Sequence, residues 1–431
     1  MKRKIHIVEV DAVEVLDSRG HPTVFAQVIL SDGSRGGAMV PSGASTGQYE
    51  AHDRRDGDAD RYGGKGVREV VESIRRDVAP ILVGMEASSQ QAVDSRMCRL
   101  DGTDDKHRLG ANAILAVSLA FARARARSAG KPLWQMVIDG GGHQLPCPMM
   151  NVLNGGAHAD NNLDIQEFMI VPYGAADVCE AIRCGSEVYH ALGRLLRSRG
   201  LSTAVGDEGG YAPSLDSDEQ ALELLMEAIR LAGYDTDTVA IALDVAAGEW
   251  LQPDGSYHLP KAALTLSREQ LIEKWVSWAE TWPLISIEDP LGDDDHTGWQ
   301  QLTTALGNRL LLVGDDLFVT QEPRLTAGIQ KGIANAVLIK PNQVGSVSET
   351  VATVRAAKAA GYVPIMSHRS GDTEDPAIAD MAIALGAPLI KTGAPCRAER
   401  TAKYNRLLTI AHDLGENARF GGSLLQLEGQ R

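Results

Sequence analysis

Six ionisable side chains between Val239 and Lys391 stand at the ends of short apolar runs. The runs are Val239-Ala-Ile-Ala-Leu before Asp244, Leu284-Ile-Ser-Ile before Glu288, Leu310-Leu-Leu-Val-Gly before Asp315, Val337-Leu-Ile before Lys340, Pro364-Ile-Met-Ser before His368, and Pro388-Leu-Ile before Lys391. Asp244, Glu288 and Asp315 are hard oxygen donors without a neighbouring Cys or His, a set that suits Mg²⁺ better than Zn²⁺. A divalent ion held there can neutralise charge that builds on a carboxylate as the adjacent carbon loses its proton. Lys340 and Lys391, crowded by burial, by the metal and by one another, are expected to have lowered pKa values, which makes a lysine usable as a base. Glu208, in Gly206-Asp-Glu-Gly-Gly, and Glu167, in Asp164-Ile-Gln-Glu-Phe-Met, supply the acidic side. Crowding of like charges there is expected to raise a carboxyl pKa enough to keep a proton. Cations opposite acids across a metal describe proton abstraction and leaving-group protonation in one site.

Those residues need a frame that delivers them to one place. Runs this short, rich in Val, Ile and Leu, read as buried parallel strands, and their charged ends cannot remain in the apolar layer without partners. Successive charges lie roughly 25 to 45 positions apart, about the length of a strand, a helix and two loops in a (β/α)₈ barrel, whose chemistry sits at the carboxyl ends of the strands. A solvated strand end would explain one such charge, but six in repeated spacing point to a common rim. Pro148-Met-Met-Asn-Val-Leu and Asp164–Val171 read as two further strands, separated by the polar glycine loop Asn154-Gly-Gly-Ala-His-Ala-Asp-Asn-Asn that holds His158. Gln166 and Glu167 are neighbours within the second of these, so the alternation of a strand puts one of them toward the lumen.

At 431 residues two domains are expected. Alternating residues from Ile5 to about Val40, broken at Ser31-Asp-Gly-Ser, read as a three-stranded antiparallel meander. Helical periodicity follows over Val67–Val83, Ala87–Leu100 and Asn112–Arg127, the last with Ala-rich spacing that suggests tight packing. Residues 1–138 therefore read as an α+β capping domain and 143–431 as the β/α barrel, with Gly140-Gly-Gly-His as the linker. Between the meander and the helices, Pro41-Ser-Gly-Ala-Ser-Thr-Gly is a mobile loop able to bring backbone amides and the hydroxyls of Ser42 and Ser45 to a ligand. Ser217-Asp-Glu-Gln and Ser267-Arg-Glu-Gln are capping boxes that open helices.

A formal net charge of −15 argues against general affinity for nucleic acid or anionic membrane, so an anionic ligand needs a local cluster of cations or metal. The basic start Met1-Lys-Arg-Lys leads into alternating residues rather than an apolar signal core, and no run approaches the roughly 18 apolar residues of a membrane span. Five cysteines, without C-x-x-C spacing, fit a reduced cytoplasm.

Asp17-Ser-Arg-Gly, Pro41-Ser-Gly-Ala-Ser-Thr-Gly, Gly110-Ala-Asn-Ala-Ile-Leu, Asp164-Ile-Gln-Glu-Phe-Met, Gly206-Asp-Glu-Gly-Gly, Ser286-Ile-Glu-Asp-Pro, Val313-Gly-Asp-Asp-Leu, Ser367-His-Arg-Ser-Gly and Lys391-Thr-Gly-Ala-Pro, taken in order, resemble the enolase family from about Val8 to Phe420. A Lys or His base with Mg²⁺ is the known device of the enolase superfamily. The resemblance implies a modified TIM barrel and a Mg²⁺-dependent lyase interconverting 2-phosphoglycerate and phosphoenolpyruvate. It implies Lys340 as base, Glu208 as acid supported by Glu167, and Asp244, Glu288 and Asp315 on one Mg²⁺. A second Mg²⁺ is implied to arrive with substrate, ligated in part by Ser45. Arg369 and Ser370 would grip phosphate and Lys391 the carboxylate, with His158, Gln166 and His368 completing the pocket. The family also implies a homo-oligomer, a small phosphorylated carboxylic acid as ligand and a cytoplasmic location.

The chain departs from the family pattern at several points. Gly248 stands where Ser is usual, and Pro341 follows Lys340 where Val or Phe is usual, restricting the lysine's backbone. His21 and Phe25 replace Asn and Glu in the first hairpin, and Thr409 replaces an Arg. That Glu and that Arg pair across the family's dimer interface, and both are absent here. His52-Asp-Arg-Arg makes the loop after Tyr49 more polar than usual. These departures motivate one other reading, a relative doing the same chemistry on a phosphonate or carboxyphosphonate analogue; a rival of another class, a non-catalytic binding protein that keeps the fold, would be favoured by loss of a catalytic residue. No catalytic residue is missing, which speaks against the latter.

Overall fold

The computed structural model describes residues 4–43, 49–137 and 142–425. Ser45 and the first half of the candidate linker lie outside the described residues. Alternation builds the first sheet as the sequence suggests: Ile7–Leu16, Pro22–Leu30 and Arg35–Met39 form an antiparallel meander in that order. Val10, Ala12, Val24, Ala26 and Val28 are buried on the inner face, which lies against helix Ala111–Ser128. The Ala-rich spacing has a direct consequence at Gly36, where an added Cβ would stand 2.0 Å from the Ala120 carbonyl and 2.3 Å from the Ala124 amide. Only glycine against alanine allows the two backbones to approach so closely.

Helix continues from Arg68 to Leu82 through a π-helical turn at Ile74–Val78. The two capping boxes differ. At Ser267 both reciprocal bonds form. At Ser217 the hydroxyl accepts from the Gln220 amide, but the Gln220 side chain accepts from Asp216 instead of Ser217.

Eight strands close a barrel in the order Leu284–Glu288, Leu311–Gly314, Ala336–Ile339, Val363–Ser367, Leu389–Lys391, Cys147–Asn154, Glu167–Val171 and Ala240–Asp244. Each of the six apolar runs that open the sequence argument is one of these strands. The barrel is not wholly parallel, because Glu167–Val171 runs against both of its neighbours. The connection from Asn154 to Glu167 holds only a single 3₁₀ turn, Gly156–His158, too little for the helical crossover that parallel neighbours need. Reversal places the first residue of that strand, not its last, at the functional rim, where Glu167 lies opposite Asn154 and Asp244.

The next strand is reached through two helices, Val178–Ser198 and Asp218–Leu231. The turn between them therefore returns to the same rim. Tyr211 pins it there by hydrogen bonds to Val152 and Asn154 backbone at 2.9 and 2.8 Å.

Inside the barrel a separate apolar layer contains Cys147, Met149, Met169, Val171, Ala240, Ala242, Leu311, Val313, Ala336, Leu338, Ile365 and Leu389. Residues two apart on a strand share a face. Ala240, Ala242 and Asp244 therefore share the lumen face, as do Leu311, Val313 and Asp315, Ala336, Leu338 and Lys340, and Leu389 and Lys391. Val171, Met169 and Glu167 make the same series in reverse.

The sheet domain meets the barrel through buried polar ties. Arg123 makes a bidentate pair with Asp375, which also accepts the Met39 amide at 3.0 Å. Asp94 accepts from the hydroxyl and amide of Ser348 at 2.6 and 3.0 Å.

Candidate active site

All described candidates converge on one cavity of about 280 Å³ at the carboxyl rim, lined by His158, Gln166, Glu167, Glu208, Asp244, Asp315, Lys340, His368, Arg369, Ser370 and Lys391 among others. Glu288 closes its floor through Lys391. The Lys391 ammonium contacts Asp244 Oδ2 at 2.7 Å, both Glu288 oxygens at 2.9 Å and Glu167 Oε1 at 3.4 Å. Lys340 pairs with Asp315, whose other oxygen accepts from Gln343 at 3.1 Å. Pro341 opens a short helix directly after Lys340, and the lysine is extended, at φ −116° and ψ 101°, the conformation that a following proline favours.

Gln166 and Glu167 both reach the site. The strand begins at Glu167, so Gln166 precedes it and strand alternation does not govern the pair. The Gln166 amide donates to Asp244 Oδ2 at 3.2 Å.

On the opposite wall, His158 Nδ1 stands 3.5 Å from Glu167 and 3.9 Å from Glu208, and His368 Nε2 stands 3.5 Å from Glu208. Asn151 donates to Glu208 at 3.0 Å. Arg400 Nη1 lies 2.6 Å from His368 Nδ1. A guanidinium can only donate, so that ring nitrogen accepts and the proton of neutral His368 sits on Nε2, facing Glu208. Arg400 also donates to the carbonyls of Arg369 and Ser370 at 2.7 and 2.6 Å, fixing the backbone of the anion-binding candidates.

The electrostatics separate the two glutamates. Burial and the neighbouring Glu208 push the Glu167 carboxyl well above its usual range. Burial also opposes ionisation of Glu208, but His368, His158 and Arg400 outweigh it and hold this carboxyl well below that range. His368 itself is pushed down to about 4 by burial. Near neutral pH it is therefore uncharged, with its Nε2–H turned toward Glu208 at 3.5 Å, and the Asn151 hydrogen bond together with Arg400 keeps Glu208 ionised. The proton expected on this side resides on Glu167, because two buried carboxyls this close do not both ionise.

The lysines differ from the sequence expectation. Burial lowers the pKa of Lys340, yet Asp315 more than reverses this and it ends raised. Lys391 is raised further, burial being outweighed by Asp244, Glu167 and Glu288. The reason is that each ammonium pairs with the acids assigned to metal.

Acidic groups on this rim could hold a divalent cation. Burial and Asp244 push Glu288 well above the usual range, and burial with Asp315 pushes Asp316 up to about 7. Acid thus exceeds cation on this rim, in hard oxygen donors of the kind Mg²⁺ takes. Asp289, Asp315 and Asp316 offer oxygens within 4.8 Å of one another, but Asp289 is already committed to the amides of Asp315 and Asp316, both at 2.9 Å. That leaves Asp315 facing Lys340, with Asp244 and Glu288 joined by Lys391.

Sequence reasoning missed Asn151, Gln343, Arg400 and Glu50, which pairs with Arg369 at 2.8 Å. Asn151 carried a signal, as the one polar side chain in Pro148-Met-Met-Asn-Val-Leu. Arg400 sits on helix Ala398–Leu414, and Glu50 follows a loop; neither position stands out by type or spacing. Gly248, the departure nearest the cavity, faces open space: a Cβ there would meet only Asp293 Oδ1, at 4.0 Å.

Two family models cover the chain: the N-terminal domain of enolase matches residues 7–137 and the C-terminal TIM barrel domain of enolase matches 142–428. A curated relative, the enolase of Acidothermus cellulolyticus (strain ATCC 43068 / DSM 8971 / 11B), is 53% identical over 417 residues, 96% of each chain. With eight strands closed into a barrel and the acid, base and anion-binding candidates on one rim, the chain belongs to the enolase family.

Proposed function

We propose that the chain interconverts 2-phospho-D-glycerate and phosphoenolpyruvate plus water, a Mg²⁺-dependent step of glycolysis in the cytoplasm. The chain is a phosphopyruvate hydratase, a carbon–oxygen hydro-lyase. The observation that carries the division of labour is the placement of two lysines against an acid pair with unequal proton affinity, across one small cavity.

In this reading Lys340 takes the proton from the carbon alpha to the substrate carboxylate. Glu167 supplies the proton, which Glu208 relays to the hydroxide leaving the next carbon, so that water departs and the pair is left one proton short. Lys391 holds the carboxylate, Arg369 and Ser370 hold the phosphate, and His158, Gln166 and His368 orient and enclose the substrate. Asp244, Glu288 and Asp315 would hold one Mg²⁺, and Ser45 would contribute to a second that comes with substrate. Bound there, the ion supplies positive charge where the substrate carboxylate accumulates negative charge, and it engages the carboxylates that otherwise keep the lysines protonated. Residues 1–138 act as the capping domain and 143–431 as the catalytic barrel. Among the described residues no helix is long and apolar enough to cross a membrane.

A homo-oligomer also belongs to this reading. Val8 and Val13, exposed on the first strand, offer it apolar side chains; light scattering of the purified chain tests it. The phosphonate alternative is not favoured, since the matched relative is an enolase over nearly the full chain.

The deciding measurement is ultraviolet absorbance of the enol product from 2-phosphoglycerate, with and without a chelator. Turnover is expected with Mg²⁺ and none after chelation, with recovery when Mg²⁺ is restored. Absence of turnover in Mg²⁺ would overturn the proposal, and unchanged turnover in chelator would remove the metal from it.

A further inference from the structure

The Glu50 carboxylate lies buried against the Arg369 guanidinium, at 2.8 Å from Nη1 and 3.2 Å from Nη2, and each side chain is only 5% exposed. A buried pair of this two-point geometry fixes the plane of the guanidinium as well as its charge. Burial works against the charge of Arg369, yet Glu50 keeps its pKa above the ordinary value.

The contacts of Glu50 extend beyond Arg369. Gln343, fully buried, reaches Glu50 Oε1 at 3.4 Å and Asp315 Oδ1 at 3.1 Å with the same amide nitrogen. Its carbonyl oxygen accepts from Thr320 at 2.6 Å, which fixes the orientation of the amide. Asp315 in turn pairs with Lys340. One continuous polar chain therefore runs from Arg369 through Glu50, Gln343 and Asp315 to Lys340.

Glu50 is itself clamped in place from the barrel. The Tyr49 carbonyl accepts from Gln321 at 2.6 Å, Arg324 covers the Tyr49 ring at 3.8 Å, and the Ala51 amide donates to the Gln343 carbonyl at 2.9 Å.

We propose that Glu50 is a positioning residue that holds Arg369 in register with Lys340, so that the group gripping phosphate and the group removing the proton are set by one buried network. The inference rests on the roles given to Arg369 and Lys340 in the proposed function. Glu50 stands on the wall of the cavity but, as a carboxylate tied to Arg369 and Gln343, it acts through those two side chains. It also shares the guanidinium's charge with any phosphate that binds, so its removal separates affinity from rate. A looser Arg369 grips the anion with more of its charge but holds it in the wrong place.

The test uses the full chain with Mg²⁺, 2-phosphoglycerate as substrate and inorganic phosphate as competing anion. Glu50→Gln keeps the shape and removes the charge. It is expected to lower kcat by about tenfold or more, as misplacement of a bound group does, while KM and the phosphate inhibition constant stay level or fall. Glu50→Asp, which keeps the charge, is expected to recover part of kcat and to serve alone if the Gln variant does not fold. In a double-mutant cycle with Gln343→Met, the two losses in kcat are expected to be less than additive, as for members of one network. A kcat for folded Glu50→Gln equal to that of the unaltered chain, additive losses in the cycle, or a rise in KM with kcat unchanged would each overturn the proposal. An unaltered chain that fails to turn over 2-phosphoglycerate would instead bring down the proposed function.

Discussion

The lumen of the barrel has two storeys built from the same strands. On the lower storey, Leu338, Ala242, Val313, Leu389 and Met169 form an apolar layer with the Cys147 thiol, which burial holds protonated. Two residues along, on the same face of each strand, stand Lys340, Asp244, Asp315, Lys391 and Glu167. A rise of about 7 Å separates an environment of pure dispersion from one crowded with charge. The lower storey is satisfied by packing alone. The upper storey is not: His158 Nδ1, Glu167 Oε2 and His368 Nε2 are buried without a hydrogen-bond partner, and carboxyl pKa values are driven apart. Groups that the protein's own side chains leave short of partners are available to a substrate, and the apolar floor keeps them from collapsing inward.

The largest contrast is expected from two substitutions on a single strand. Lys340→Ala should lower kcat by roughly 10³-fold or more, the upper range for losing a general base, with circular dichroism and melting temperature preserved. Leu338→Ala, two residues below, should do the converse. It removes a buried side chain and should cost about 2–5 kcal/mol in denaturant unfolding, with kcat of the folded fraction kept within about tenfold. Equal effects of the two on activity would show that the storeys do not divide chemistry from stability.

A smaller effect should appear with pH. The pKa of His368 falls from 6.5 in an unperturbed chain to about 4 in the folded protein. Between these values the unfolded chain binds the proton and the native one does not, so stability declines as pH drops from 6.5 toward 4 and levels off below. This histidine should account for about 3 kcal/mol of that decline. The denaturant midpoint of His368→Gln, compared with that of the unaltered chain across this window, should lose that share of the slope. An identical slope would mean that His368 is already protonated in the native state.

Much of this was legible in the residues. Each apolar run ending in a charge became a barrel strand, because Val, Ile and Leu in a short run have few alternatives to burial and the charge must leave the layer. Asp244, Glu288, Asp315, Lys340 and Lys391 were therefore visible as a group before their geometry was. Glu50 and Arg400 were not, since a charged residue next to a loop or on a helix has the same local pattern whether it faces solvent or a buried partner.

By itself the sequence determined which side chains could do chemistry and the alternation that put them on one face of each strand, both being local properties of residue type and period. Only the tertiary structure decided that Glu167 leads its strand into the rim instead of ending there, because strand direction depends on the length of a connection and on neighbours far along the chain. It alone decided, too, that the proton affinities of Glu167 and Glu208 are driven in opposite directions and that neighbouring carboxylates raise the pKa of both lysines. Charge at a buried site depends on distances of a few ångströms between residues up to 319 positions apart, as Glu50 and Arg369 are, and no local pattern encodes those distances.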